Sequence, residues 1–142
     1  MILLDTNIIS EPLKVAGNAN VLAWIDAQII ETLYLSTISL AELRFGIAAL
    51  PDGKRRDTLG TSLEQRVLPL FAGRVLAFDD AASQSYATLR SRARAAGLAI
   101  APADGYIAAI AATHGFAVAT RDTSPFDAAG LAVINPWMWQ PH

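Results

Sequence analysis

Four of the thirteen acidic residues of this chain stand where carboxylates can do chemistry: Asp5, Glu42, Asp104 and Asp122. Asp5 directly follows the apolar run Ile2-Leu3-Leu4, and Asp122 lies just beyond a second run, Ala117-Val118-Ala119. Glu42 comes three residues after Ser39, early in a helix expected after the strand Leu33-Tyr34-Leu35. Asp104 lies just inside a helix that opens at Pro102 and is apolar from Tyr106 to Ala112. Each has an ordinary explanation when taken singly. Asp5 suits a helix cap, Ser39-x-x-Glu42 has the form of a capping box, Asp104 complements a helix dipole and Asp122 fits a turn. Together the four fall at one edge of a sheet, outside the carboxyl ends of its strands, where open α/β sheets bind ligands. Four carboxylates in one pocket repel and raise one another's pKa, and no Lys or Arg neighbours Asp104 in the sequence. A hard divalent cation such as Mg²⁺ or Mn²⁺ relieves that cost and keeps several waters. Such an ion suits phosphodiester hydrolysis, because it activates water and stabilises the leaving oxygen.

The elements that must position these acids follow from pattern. Ile2-Leu3-Leu4 reads as a buried strand feeding a helix start. Asn18 caps a helix over about 19–29, where Val21, Leu22, Ile25 and Ile29 recur at helical spacing. Ser39 opens a helix to about Leu50, stopped by Pro51-Asp52-Gly53. Residues 54–70 form an amphipathic helix, broken near Gly60. A third strand runs from Val75 to Phe78, and Asp79 or Asp80 caps a helix that stops near Gly97. Pro102 opens the next helix, which ends at His114-Gly115. Strands follow at Ala117–Ala119 and Ala132–Ile134. Short strands, apolar on both faces and alternating with helices, predict a parallel sheet sandwiched between helices.

Composition narrows the class. The 142 residues suit one domain, and with 53% hydrophobic residues the chain does not have the character of a disordered one. No apolar run reaches the length of a bilayer span, and the start lacks the basic region of a signal peptide. There is no cysteine, which excludes disulfides and thiolate metal sites. A cytosolic location is expected. The net charge of −2 gives no bulk attraction to nucleic acid, so any such binding rests on local basic groups or a bridging metal.

The motifs in order, Ile2-Leu3-Leu4-Asp5-Thr6-Asn7, Ser39-Leu40-Ala41-Glu42-Leu43, Ala103-Asp104-Gly105-Tyr106 and Ala119-Thr120-Arg121-Asp122 with Phe126, resemble those of PIN-domain proteins of the VapC/FitB kind. Ile9-Ser10-Glu11-Pro12, Leu68-Pro69-Leu70-Phe71-Ala72-Gly73-Arg74 and the close Val133-Ile134-Asn135-Pro136-Trp137 resemble the FitB branch. The resemblance covers the whole chain. It implies a single PIN domain over residues 1–142, a three-layer α/β/α fold with a mainly parallel sheet of about five strands. It also implies Mg²⁺ or Mn²⁺ at the four acids and endonucleolytic cleavage of single-stranded RNA by a toxin. The implied partners are a small, often DNA-binding antitoxin and a second copy of the chain, with assembly up to a hetero-octamer on operator DNA. The competing function is a non-catalytic member of such a pair that only tightens the antitoxin's grip on its operator.

On this reading Asp5, Glu42 and Asp104 supply the main carboxylates and Asp122 completes the set, directly or through water. Thr6, Asn7 and Thr120 are candidates to hydrogen-bond those acids or their water. Asn7 serves equally as a helix cap. Arg121 and Arg44 are candidates to meet a substrate phosphate. Arg121 is expected rather to pair with a site acid, and Arg44 to be covered by the antitoxin. Arg90 and Arg94 share one helix face at i, i+4, with RNA, an acidic antitoxin tail or water as alternative contacts. Trp24 is expected in the core, and Trp137 and Trp139 against the domain or a dimer interface. A phosphoryl-transfer domain of receiver or haloacid-dehalogenase type also sets Asp at strand ends. It needs a late lysine, whereas the lysines here are Lys14 and Lys54.

Overall fold

The computed structural model describes residues 1–141. Five parallel strands, β1 (Ile2–Leu4), β2 (Leu33–Ser36), β3 (Val75–Leu76), β4 (Ala117–Ala119) and β5 (Val133–Ile134), form one sheet in the order β3-β2-β1-β4-β5. The register sets Ile2 beside Leu33 on one side and beside Ala117 on the other. The chain builds outward from β1 to β3 and then crosses to β4, so β1 is the point where the strand order reverses. A crevice opens there at the carboxyl edge.

Successive strand residues face opposite sides, and the core divides accordingly. Leu3 and Val118 point to one layer, built from α5 (Asp80–Ala95), α6 (Pro102–His114) and α7 (Ser124–Ala128). Leu4 and Ala119 point to the other, built from α1 (Thr6–Ser10), α2 (Ala19–Ala27) and α3 (Thr37–Ala48), with Leu63 and Phe71. Helices on both faces explain why the strands read as unbroken apolar runs. The expected three-layer α/β/α architecture is the one observed.

Several local expectations are met for identifiable reasons. Asn18 caps α2 by accepting from the amides of Asn20 and Val21, and Asp79 caps α5 by accepting from Ala82. Gly115 ends α6 with φ of 70°, a left-handed cap that glycine adopts at no steric cost. Trp24 is buried, and Trp137 and Trp139 pack half-buried on the second layer.

Others differ. Helix α2 stops at Ala27, where Gln28 turns extended with its backbone amide on the Ile25 carbonyl and its side-chain amide on the Trp24 carbonyl, and Ile29 beyond it is exposed. Strand β3 is two residues long rather than four. Gly60 does not break the helix after Pro51: α4 (Lys54–Ser62) runs through it, and the change comes at a π-helical stretch, Leu63–Val67. Pro69 is the physical reason, since its ring crowds the carbonyl four residues back and the chain widens upstream of it. Ser39 does not open α3 either. The cap is Ser36, whose hydroxyl accepts from the Ser39 amide at 3.0 Å. No helix among the described residues is long and apolar enough to cross a membrane.

Candidate active site

Asp5 sits at the end of the central strand, and its own amide donates to the Ala119 carbonyl at 2.9 Å, extending the β1–β4 ladder. Asp5 is 6% exposed. Oδ1 accepts from the Thr6 amide at 2.8 Å, and Oδ2 accepts from the Thr120 hydroxyl at 2.8 Å. Thr120 is fully buried, and its Oγ1 also accepts from the Asp122 amide at 3.1 Å. One hydroxyl thus ties the first acid to the backbone of the last.

Glu42 faces the same edge. With Ser36 as the cap, Glu42 lies beyond the first turn of α3 and has no capping duty, so the capping-box explanation fails. Its Oε1 instead accepts from the Thr6 hydroxyl at 2.9 Å. Asp104 is in the first turn of α6. That helix delivers the chain to the foot of β4, so its start lies about 20 Å back, at the carboxyl edge. Asn7 accepts from the Arg121 amide at 3.3 Å and so joins the loop after β4 to α1.

The electrostatics record the crowding. Burial pushes the Asp5 carboxyl up; the bonds from Thr120 and Thr6 oppose this, while Asp104 and Glu42 add to it by repulsion. Asp104 is likewise raised, first by burial and then by the charges of Asp122 and Glu42. The ion pairs among the described residues are Lys14–Glu11, Arg44–Glu64 and Arg56–Asp52, and none involves these four acids. The acids therefore share one field with no cationic side chain to neutralise it. Among the described residues, no three His, Cys, Asp or Glu side chains converge closely enough to cage an ion by themselves. An all-oxygen, incompletely closed donor set suits an ion that keeps part of its water, as Mg²⁺ does.

The two arginines each have a partner within the chain. Arg121 does not pair with a site acid: its guanidinium lies over the Trp137 ring, 5.3 Å from the centroid. The aromatic face offers it a partner without desolvating a carboxylate. Arg44 makes a two-pronged bond to Glu64, at 2.8 and 3.1 Å, on the exposed side of α3.

Sequence reasoning passed over Glu11 except as part of a family signature. It is 4% exposed and takes Lys14 at 2.9 Å and the Asn18 amide at 3.0 Å. A lone acid among apolar residues with a lysine three positions on was the available signal. The contact of Tyr86 with Gly105 carried no signal in one dimension, because it joins two helices.

The PIN-domain family model matches residues 2–131. The chain is 64% identical over 137 residues to the VapC ribonuclease Y4jK of Sinorhizobium fredii, covering 96% of this chain and 98% of that protein. It is 56% identical over 137 residues to the toxin FitB of Neisseria gonorrhoeae, covering 96% and 99%. The solved structure of FitAB bound to an IR36 DNA fragment superposes with a TM-score of 0.95 at 54% identity, covering all of this chain and 99% of that one. With its sheet order, its acids at the carboxyl edge and these likenesses, the chain belongs to the PIN-domain family, in the group that holds the VapC and FitB toxins.

Proposed function

We propose that this chain is a divalent-metal-dependent endoribonuclease, the toxin of a toxin–antitoxin pair, acting on single-stranded RNA. The observation that carries this reading is Asp5: a buried carboxylate, fixed by Thr120 and Thr6, raised by neighbouring acids and matched by no cationic side chain. Asp5, Glu42, Asp104 and Asp122 would hold Mg²⁺ or Mn²⁺. When bound, such an ion supplies a water of lowered pKa and stabilises charge on the phosphodiester. Thr120 holds Asp5 in one rotamer and Thr6 orients Glu42, so the acids are set before substrate arrives. The named relatives extend the reading to the chain's company. FitAB is a complex bound to DNA, and a small antitoxin that brings this chain to operator DNA in the cytosol is the corresponding partner here.

The test is incubation of the purified, antitoxin-free chain with structured and single-stranded RNA in Mg²⁺, Mn²⁺ or EDTA, beside Asp5→Asn and Asp104→Asn. The expected result is metal-dependent cleavage that falls more than about 100-fold in both variants, beyond the usual loss for an outer hydrogen-bond partner. RNA left intact under every metal by a folded, metal-bound chain rejects the nuclease. It would favour a partner that acts only through operator binding.

A further inference from the structure

Next to the acids, α5 and α6 carry an aromatic and basic feature that the cleavage chemistry leaves unused. The rings of Tyr86 and Tyr106 stack with centroids 4.9 Å apart and planes at 28°. The stack leans on the first turns of α6. Gly105, the neighbour of Asp104, is buried, and a Cβ there would lie 2.9 Å from the Tyr86 ring. A side chain at Gly105 would have to push that ring aside, so the glycine lets Tyr86 pack directly on α6 beside Asp104. One turn along α5, Arg90 donates to the Tyr86 hydroxyl at 2.7 Å and lies 5.4 Å from its ring centre. Arg94 follows one turn later.

Tyr86, Arg90, Arg94 and the loop Gly97–Ile100 line an open groove of about 580 Å³, ample for a nucleotide. The same loop borders Thr123 and Ser124, which directly follow Asp122. The groove therefore adjoins the acids on two sides, through Gly105 and through this loop. Both arginines are exposed, and neither forms an ion pair among the described residues. Arg44 and Arg56, by contrast, are each held by a carboxylate.

A half-buried tyrosine in the wall, an exposed Leu98 and two guanidinium groups held by no carboxylate among the described residues are the parts that grip a single strand, which offers both unstacked bases and phosphates. An acidic peptide matches the arginines but makes no use of the ring. We propose that this groove is a nucleotide-binding subsite for the single-stranded RNA substrate, beside the scissile bond. The base packs on Leu98 and against Tyr86 where that ring lines the groove, and flanking phosphates meet Arg90 and Arg94. This assignment rests on the ribonuclease reading above.

The experiment measures fluorescence anisotropy of a labelled 12-nucleotide single-stranded RNA with the full chain in EDTA, across a salt series, with cleavage in Mn²⁺ followed on the same preparations. The proposal expects the double variant Arg90→Gln, Arg94→Gln to bind more weakly and to lose about 1.4 from the slope of log affinity against log salt, two phosphate contacts' worth. Tyr86→Leu weakens binding roughly tenfold, while Tyr86→Phe, which keeps the ring, changes it little. Thermal midpoints check folding, and the exposed arginine pair decides the matter if Tyr86→Leu does not fold. Unchanged affinity and slope in a double variant whose parent cleaves RNA overturns the subsite and leaves the nuclease standing. A wild-type chain that neither binds nor cleaves RNA overturns both. A 12-residue oligoglutamate that displaces the RNA, and is lost equally in the double variant, reassigns the groove to an acidic protein segment.

Discussion

Asp5 and Glu11 lie six residues apart, are 6% and 4% exposed, and face opposite fates. Burial pushes the Glu11 carboxyl up, but the Asn18 amide and the Lys14 ammonium outweigh it, and the group is held below its ordinary 4.5. Asp5 also accepts two hydrogen bonds, yet it stays above its ordinary 3.8, because burial is joined by Asp104 and Glu42 rather than by a cation. Glu11 is a finished structural acid: it closes the loop between α1 and α2 by binding the Asn18 amide. Asp5 is an unfinished one. Burial of a carboxylate does not by itself mark a reactive site; positive charge still wanting after the protein's own donors are counted is the better sign.

This contrast can be broken experimentally, most severely through Thr120. Thr120→Val removes the hydroxyl from Asp5 Oδ2 and from the Asp122 amide together. RNA cleavage, measured as initial rate in Mn²⁺, is expected to fall about 10–100-fold with the fold retained. Unchanged cleavage would mean that Asp5 needs no positioning. On the other side, Glu11→Ala leaves the Asn18 amide unsatisfied and is expected to cost about 1–3 kcal/mol in urea unfolding. Its cleavage rate per folded molecule should match wild type; a loss comparable to that of Thr120→Val would erase the distinction between the two acids.

The smallest effect is in pH. Asp5 and Asp104 have raised folded pKa values, so ionising them penalises the metal-free fold. Acidification from neutrality through that raised range protonates them in the folded chain first and adds stability. Glu11, held low, contributes fully above 4.5, and that contribution is lost as the pH falls through its depressed value. The thermal midpoint of the metal-free chain should therefore rise on mild acidification and drop on further acidification. Asp5→Asn should flatten the rise and Glu11→Gln the drop. An Asp5→Asn curve that climbs as wild type does would remove Asp5 from the argument.

The acids themselves were legible in one dimension, because strand ends and helix starts leave plain marks: an apolar triplet before Asp5, Pro102 before Asp104, another triplet before Thr120. The cap of α3 was not. Ser36, Thr37 and Ser39 are all competent caps, and the choice falls to where β2 leaves the sheet, which pairing with β3 decides. The π-helical stretch was misread because Gly60 is the conspicuous breaker, while Pro69 acts at a distance on the turns before it. Arg121 was set against a site acid because sequence adjacency to Asp122 said nothing of Trp137, sixteen residues on and brought near by the closing turn. The stack of Tyr86 on Tyr106, and with it the groove beside Asp104, needed two helices packed in space.

The sheet order has one further consequence, in time rather than in space. The central strand is made well before one of its two neighbours: β4 begins at Ala117, and the hydroxyl that fixes Asp5 Oδ2 belongs to a residue 115 positions downstream. At about 5–20 residues per second, a nascent chain spends several seconds with β1 lacking its β4 neighbour and its first acid without the Thr120 bond. The edge that gathers the acids is thus assembled only once β4 has been made, an interval in which a partner already at hand can be waiting.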